Sequence, residues 1–510
     1  MMQQTITIEP GSATLADWRA VYTGAGARLS DDGRRSVELA ANEVKRIIRS
    51  GSVVYGLNTG FGKLARVRVN DRDLAQLQLN LVMSHTTGFG DPLTVPVVRL
   101  TIALKLASLG RGASGAQLPT IELLEALLAR AVTPVIPGQG SVGASGDLAP
   151  LAHLTSVLVG QGEAWVQGER LPGLQALKRV GLEPITLSPK EGLALLNGTQ
   201  VSTALALAGL FEIESAFAAA CALGCMSLEA IAGLATPFDP RIQTLRGQPG
   251  QIDVAAAMNA LLDDSPMRAE SAASGKVQDP YSIRCQPQVL GACLDLMRHA
   301  GGTLQIEANA ASDNPLIFVD TGEVLSGGNF HAEPVAFAAD MLALAVAEIG
   351  NLSERRAALL LDPQFSGVSA FLTPDAGLNS GYMTTHIAAA AMASENKQRA
   401  APASIDTIPT SGNQEDHVSM ATHAARRLLD MAATLRGILA IEGLCAAQAI
   451  DMRGLDRCGT RIRSLAAAIR KRVPFMAVDR PVAPDMQLVA DLIRSRELVA
   501  SAPELLTFLD

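Results

Sequence analysis

The chain has 510 residues, long enough for two to four ordinary domains and for a large core. Hydrophobic residues make up 48% and aromatics only 4%, so the apolar content is mostly Ala, Leu, Val and Ile, a composition suited to closely packed helices. A net charge of −8 excludes a polyanionic partner such as nucleic acid as the default expectation.

Along the chain, the first hundred residues read as mixed. The opening "MMQQTITIEPGS" has neither a basic nor an apolar leader pattern, so no secretory signal is expected. Ser30 predicts a helix cap, with Val37, Ala41, Val44 and Ile48 on one face and Gly51 as the stop. "VVYGLNTGFGKL" carries glycines at 56, 60 and 62 and reads as a loop around Tyr55. Helices are expected to dominate from about Val98. Ser188-Pro189-Lys190-Glu191 predicts a helix start, followed by one long Ala/Leu-rich run towards Leu234. A second run lies between Pro334 and Pro363, and a third covers roughly residues 384–397. Long, weakly charged helices must bury nearly all round, which predicts a helical bundle and an oligomer.

The uncharged stretch 192–211 contains Asn197, Thr199, Gln200, Ser202 and Thr203, so a buried core helix is expected there rather than a membrane span. The six cysteines form no disulfide pattern, and no Cys/His spacing suggests zinc; a reducing cytoplasm and no required metal are expected. The connecting segments "QDPYSIRCQPQ", "SDNPLIF", "SGGNFHAEP" and "PTSGNQEDHVSM" are rich in amides, Arg and His, which suits binding loops on a rigid scaffold.

The tripeptide Ala-Ser-Gly occurs twice, at Ala113-Ser114-Gly115 and at Ala144-Ser145-Gly146. Neither makes a nucleophile elbow, because Ala116 and Asp147 stand where the last glycine of G-x-S-x-G belongs. No phosphate-loop motif is present either. Another reaction is open to these residues. The glycine amide nitrogen can attack the alanine carbonyl carbon. Loss of two waters then leaves a five-membered imidazolone carrying an exocyclic methylidene, a strong electrophile. The first copy reads as a turn between helices. The second lies among glycines at 138, 140, 143 and 146, whose backbone can reach strained conformations, and Asp147 can cap the helix that follows.

"GSVGASGDLAPLAH" resembles the signature of the aromatic amino acid ammonia-lyases, in which Ala-Ser-Gly forms 4-methylidene-imidazol-5-one (MIO). "YGLNTGFG", "NLVMSHTTGFGDPL", "KEGLALLNGTQ", "KVQDPYSIRCQPQVLGAC", "SDNPLIF", "SGGNFHAEPVA" and "TSGNQEDHVSM" extend the resemblance over residues 55–420, in the wording of the histidine-specific lyases.

The resemblance implies a mainly α, long-helix bundle like that of fumarase and aspartase. A smaller mixed N-terminal domain at 1–110 would carry the Tyr55 loop and His85, with a helical-bundle domain at 111–510. It implies a homotetramer with sites shared between subunits. The implied reaction takes L-histidine to trans-urocanate and ammonia, the first step of histidine degradation, without pyridoxal phosphate, nucleotide, nucleic acid or membrane.

The resemblance also assigns roles. Ala144, Ser145 and Gly146 form MIO. Tyr55 is the catalytic base, for which it needs a lowered pKa. Tyr281 lines the catalytic site. Arg284 binds the substrate carboxylate, Asn197 holds the substrate or the MIO carbonyl, and Gln278, Asn329 and Phe330 line the pocket. His85 and Glu415 satisfy the two imidazole nitrogens. A phenyl ring would leave that carboxylate buried without a partner, at a cost of about 1–3 kcal/mol. An MIO enzyme for tyrosine or phenylalanine, lyase or aminomutase, is the competing expectation. The sequence departs from the common pattern at Ala401, at "AESAASG", at Gly412 and in "DPQFSGVSAFL".

Overall fold

The computed structural model describes residues 5–50, Val54, Gly56, Thr59 and 69–507. Twenty α-helices among these residues make the protein mainly α. Two candidate long apolar helices, Gln200–Ala230 and Glu333–Leu361, have their most apolar windows 94% and 72% buried. All six cysteines are free.

The chain divides into two compact units that interleave along the sequence. One comprises residues 1–208, 300–340 and 402–427, the other 209–299, 341–401 and 428–510. The longest helices, Gln200–Ala230, Gln286–Ala308, Glu333–Leu361 and Ala421–Arg453, contribute residues to both.

The first unit holds every strand among the described residues, all short. Thr5–Ile8 pairs parallel with Gly26–Leu29, and Thr133–Pro134, Glu163–Val166 and Glu169–Pro172 form a three-stranded antiparallel sheet. Phe89–Pro92 pairs irregularly with Pro137–Gln139, the strand that feeds the Ala144 loop. At its centre runs Val95–Gly110, buried from Val97 to Gly110. Such a helix has no solvated face, so its charged residues must be paired internally. Arg99 accordingly donates to the carbonyls of Gly24 (3.0 Å), Ala25 (2.7 Å) and Leu128 (3.2 Å).

Helix Asp31–Arg49 starts where expected. Ser30 Oγ accepts the Gly33 N–H at 3.1 Å, and Val37, Ala41 and Val44 face the core. The run after Ser188 differs from the expected single helix. Glu191 does reach back to the Ser188 N–H (2.8 Å), but Lys190 takes a left-handed conformation and the first helix is only Glu191–Leu196. Residues 197–199 then leave helical geometry, with Gly198 at φ +123°, before Gln200–Ala230 begins. The competing interaction is tertiary, because this break meets the Ala144 loop.

The second unit is built of helices and loops, with no strand among its described residues, and its core is ionic as well as apolar. Arg356 and Glu442 are fully buried and bonded twice, Nε to Oε1 at 2.5 Å and Nη2 to Oε2 at 2.7 Å. Ser227 and Ser353 donate to the same carboxylate at 2.7 and 2.6 Å, so both charges are compensated.

Candidate active site

The loop between strand Pro137–Gln139 and helix Leu148–Leu158 carries the second Ala-Ser-Gly. Gly143 and Gly146 have φ of +67° and +73°. Gly146 lies against Gly198 as a parallel bridge, and the Asp147 N–H donates to Gly198 O at 2.8 Å. A Cβ on Gly146 would stand 2.2 Å from Gly198 O, so two backbones meet where no side chain fits. Asn197 Nδ2 donates to the Ser145 carbonyl at 2.6 Å, and Ser145 Oγ donates to Glu415 Oε1 at 2.6 Å. The helix break is therefore what aims Asn197 at the tripeptide.

The first copy is the expected turn between helices Val95–Gly110 and Leu118–Ala129. Ser114 is buried, and its hydroxyl has no hydrogen-bond partner among the described residues.

Asp147 corrects a sequence expectation. It precedes helix Leu148–Leu158 but makes no side-chain cap there. Its fully buried carboxylate turns inward instead. Oδ2 accepts Ser202 N (2.7 Å) and Ser202 Oγ (2.9 Å), while Oδ1 accepts Thr422 Oγ1 (2.7 Å) and Ser141 Oγ (3.0 Å). It thus ties the loop to the starts of Gln200–Ala230 and Ala421–Arg453, where N-terminal N–H groups favour an anion. Ser419 Oγ donates to Gly143 O (3.0 Å), and Met420 N donates to Val142 O (2.8 Å).

Lys105 was not foreseen. Its buried Nζ donates to the carbonyls of Ala194 (3.2 Å) and Asn197 (2.8 Å) at the end of the short helix. Burial pushes its pKa down to about 7, against the upward pull of Asp313. Asp313 itself is bonded to the buried Lys190 at 2.8 Å. Nothing local marks a lysine in an apolar helix as part of a site.

Glu415 is half-buried. Burial raises its pKa, but hydrogen bonds from Ser145, Thr410 and Ser411 and the charge of His85 lower it further, leaving it below the usual carboxylate value. Thr410 and Ser411 hydroxyls bind Oε2 at 2.6 and 2.7 Å. Both are in the quoted "PTSGNQED", so hydroxyls just ahead of the acid were a usable signal. The turn between them uses left-handed backbone at Ser411, Gly412 and Asn413; Gly412 relieves it at φ +62°. His85 ends helix Leu74–His85, with Nδ1 2.8 Å from Leu81 O and 3.1 Å from Ser84 Oγ.

Of the other expected site residues, Tyr55 lies outside the described residues. Asn329 is exposed and donates to Ala311 O at 3.3 Å, with Phe330 partly buried beside it. Gln278, Tyr281 and Arg284 belong to the second unit. There Gln278 and Arg284 line a cavity of about 600 Å³ with Asp279, Cys285 and Gln288. Tyr281 is 71% exposed, and the Arg284 guanidinium carbon sits 4.7 Å from its ring centroid. Arg284 Nε and Gln288 Oε1 are buried without hydrogen-bond partners among the described residues. The ring face of Tyr281 holds the guanidinium cation, and a guanidinium with an unspent donor suits an anionic ligand.

A long-helix fold with this gripped tripeptide loop falls in the class of MIO-dependent ammonia-lyases and aminomutases. Histidine ammonia-lyase from Trypanosoma cruzi superposes with a TM-score of 0.92 at 37% identity, covering 98% of this chain and 96% of that one. Tyrosine aminomutase from Streptomyces globisporus gives 0.92 at 33%, covering 98% of each chain. Phenylalanine aminomutase from Pantoea agglomerans gives 0.92 at 31%, covering 96% of this chain and 99% of that one. The sequence profile "Aromatic amino acid lyase" matches residues 13–471. The chain belongs to the aromatic amino acid lyase family, and it is a carbon–nitrogen lyase.

Proposed function

We propose that this enzyme is a histidine ammonia-lyase, converting L-histidine to trans-urocanate and ammonia with MIO formed from Ala144, Ser145 and Gly146. The observation that carries the reading is the Glu415 carboxylate, 2.6 Å from Ser145 Oγ and within the field of His85. A carboxylate beside the reacting group, with an imidazole near enough to act on its charge, can pair with both nitrogens of a substrate imidazole; a phenyl or phenol ring offers them at most one partner. The residues around the tripeptide suit the cofactor. Gly146 leaves room only for backbone, and Asn197 holds the Ser145 carbonyl that would become the ring carbonyl.

The methylidene supplies an electrophile for the substrate amine, which is otherwise a poor leaving group. The chain's own residues do the rest. Glu415 and His85 orient the imidazole. Asn197 polarises the carbonyl conjugated with the methylidene. Arg284 takes the carboxylate as a planar fork, with Gln278 and Tyr281 beside it. Tyr55 removes the β-proton. Asn329 and Phe330 bound the ring side of the pocket. We propose that a homotetramer completes each site, with the exposed Tyr281 and the unspent Arg284 donor contributed by a neighbouring copy.

The test is an ultraviolet assay with L-histidine, L-tyrosine and L-phenylalanine in parallel, on the wild type and Ser145→Ala. Urocanate from histidine alone, lost in Ser145→Ala, is the expected result. Cinnamate or coumarate instead of urocanate would overturn the reading of His85 and Glu415. Full activity in Ser145→Ala would overturn the cofactor.

A further inference from the structure

Two segments hold the turn just before Ala144. Residues 331–333 approach it through Ala332 N to Gly143 O (3.4 Å), and residues 417–420 through Ser419 and Met420. Three metal-ligating side chains converge where those segments run together: His331, Glu333 and His417. Their candidate donor atoms lie within 4.8 Å of one another, and all three belong to the first unit. The two imidazole rings have centroids 5.6 Å apart, and His331 Nδ1 is 4.0 Å from Glu333 Oε2.

The cluster has an unmet electrostatic need. Glu333 Oε2 is buried with no hydrogen-bond partner among the described residues. A buried carboxylate oxygen without a donor calls for a cation or a proton.

We propose that His331, Glu333 and His417 bind one first-row divalent cation, best Zn²⁺, that pins the two segments gripping the cofactor loop. Two imidazoles and one carboxylate are an established donor set for Zn²⁺, with ligand atoms about 2.0–2.2 Å from the ion. In a tetrahedral shell with those bond lengths, neighbouring ligand atoms stand about 3.3–3.6 Å apart. The three donors, within 4.8 Å of one another, therefore need to close by up to about 1.5 Å, a side-chain rotation that the exposed His417 can supply. Water would complete the coordination shell. The role is to fix the segments. The ion touches neither Ser145 nor the substrate in this proposal, so it is independent of the histidine reading.

The experiment uses chelator-treated full-length protein dialysed against buffered low-micromolar Zn²⁺, followed by metal analysis and thermal unfolding. The expected result is one zinc per chain and a higher Tm than the metal-free protein, equally in Ser145→Ala, which lacks the cofactor serine. Both effects should be lost in Glu333→Gln, a near-isosteric change, and in the His331→Gln/His417→Gln pair. As a check that does not depend on how the variants fold, Co²⁺ added to the wild type should give visible ligand-field bands that Zn²⁺ abolishes. Wild-type protein that takes up no zinc, or variants that retain wild-type zinc content, would overturn the proposal.

Discussion

Replacing Asp147 by asparagine removes the charge that ties the Ala144 loop to the starts of two helices, Gln200–Ala230 and Ala421–Arg453. The carboxylate accepts four hydrogen bonds and is fully buried. Asparagine keeps one acceptor oxygen. The Ser202 backbone N–H can only donate, so that oxygen must face Ser202, and the new amide N–H₂ then faces the hydroxyls of Ser141 and Thr422. Those hydroxyls can rotate to accept, so the geometry survives but all charge assistance is lost. Hydrogen bonds to a charged group contribute about 1.5–3 kcal/mol and neutral ones about 0.5–1.5 kcal/mol. Two of the four bonds weaken and two reverse, so a stability loss of about 2–4 kcal/mol is expected. Urea unfolding followed by circular dichroism measures it. The ultraviolet difference spectrum against Ser145→Ala measures how much MIO is made, and that should fall with loop order. An Asp147→Asn enzyme with wild-type stability and a full complement of MIO would refute the idea that this carboxylate organises the loop.

Gly146→Ala should fold but make no MIO, because its methyl would stand 2.2 Å from Gly198 O on backbone at φ +73°; the ultraviolet difference spectrum should be flat. Glu442→Gln should cost about 3–5 kcal/mol by leaving the buried Arg356 charge uncompensated, read as a lower urea midpoint with an unchanged slope. Lys105 gives a pH signature. Its folded pKa is about 7 against 10.5 unfolded, so below pH 7 both states carry the proton and the full cost of burial is present. Between pH 7 and 10.5 the unfolded chain binds a proton that the folded chain does not, so this group adds up to about 1.4 kcal/mol of stability per pH unit as pH rises. Lys105→Met should flatten urea midpoints across that window, and parallel curves for the two proteins would count against the assignment.

The helical class followed from composition, helix Asp31–Arg49 from cap and period, and Glu333–Leu361 from an apolar run between prolines, because those signals are local. The left-handed backbone of the second Ala-Ser-Gly loop was legible for the same reason: glycines at 140, 143 and 146 mark it within a few residues. Four features were not legible. The break at Asn197–Thr199 sits in an Ala/Leu run that propensity alone would carry through, and it exists because Gly198 meets Gly146. Asp147 was read as a cap from its position, but its partners Ser202 and Thr422 lie 55 and 275 residues away. Lys105 is equally invisible, and so is the cluster as a whole, since His331 and Glu333 are two residues apart but only the fold brings His417 to them.

The grip on the cofactor loop also sets an order of events in the life of the molecule. Its parts come from Ser141, Asn197, Ser202, Ser419 and Thr422, so it is incomplete until synthesis has passed residue 422 and the chain has folded. On the proposed reading, a nascent or misfolded copy keeps an ordinary serine at position 145 and carries no reactive group. If the electrophile arises from this loop as proposed, its appearance doubles as a certificate of correct folding, and a cell making this enzyme is never exposed to the warhead on an unfinished chain.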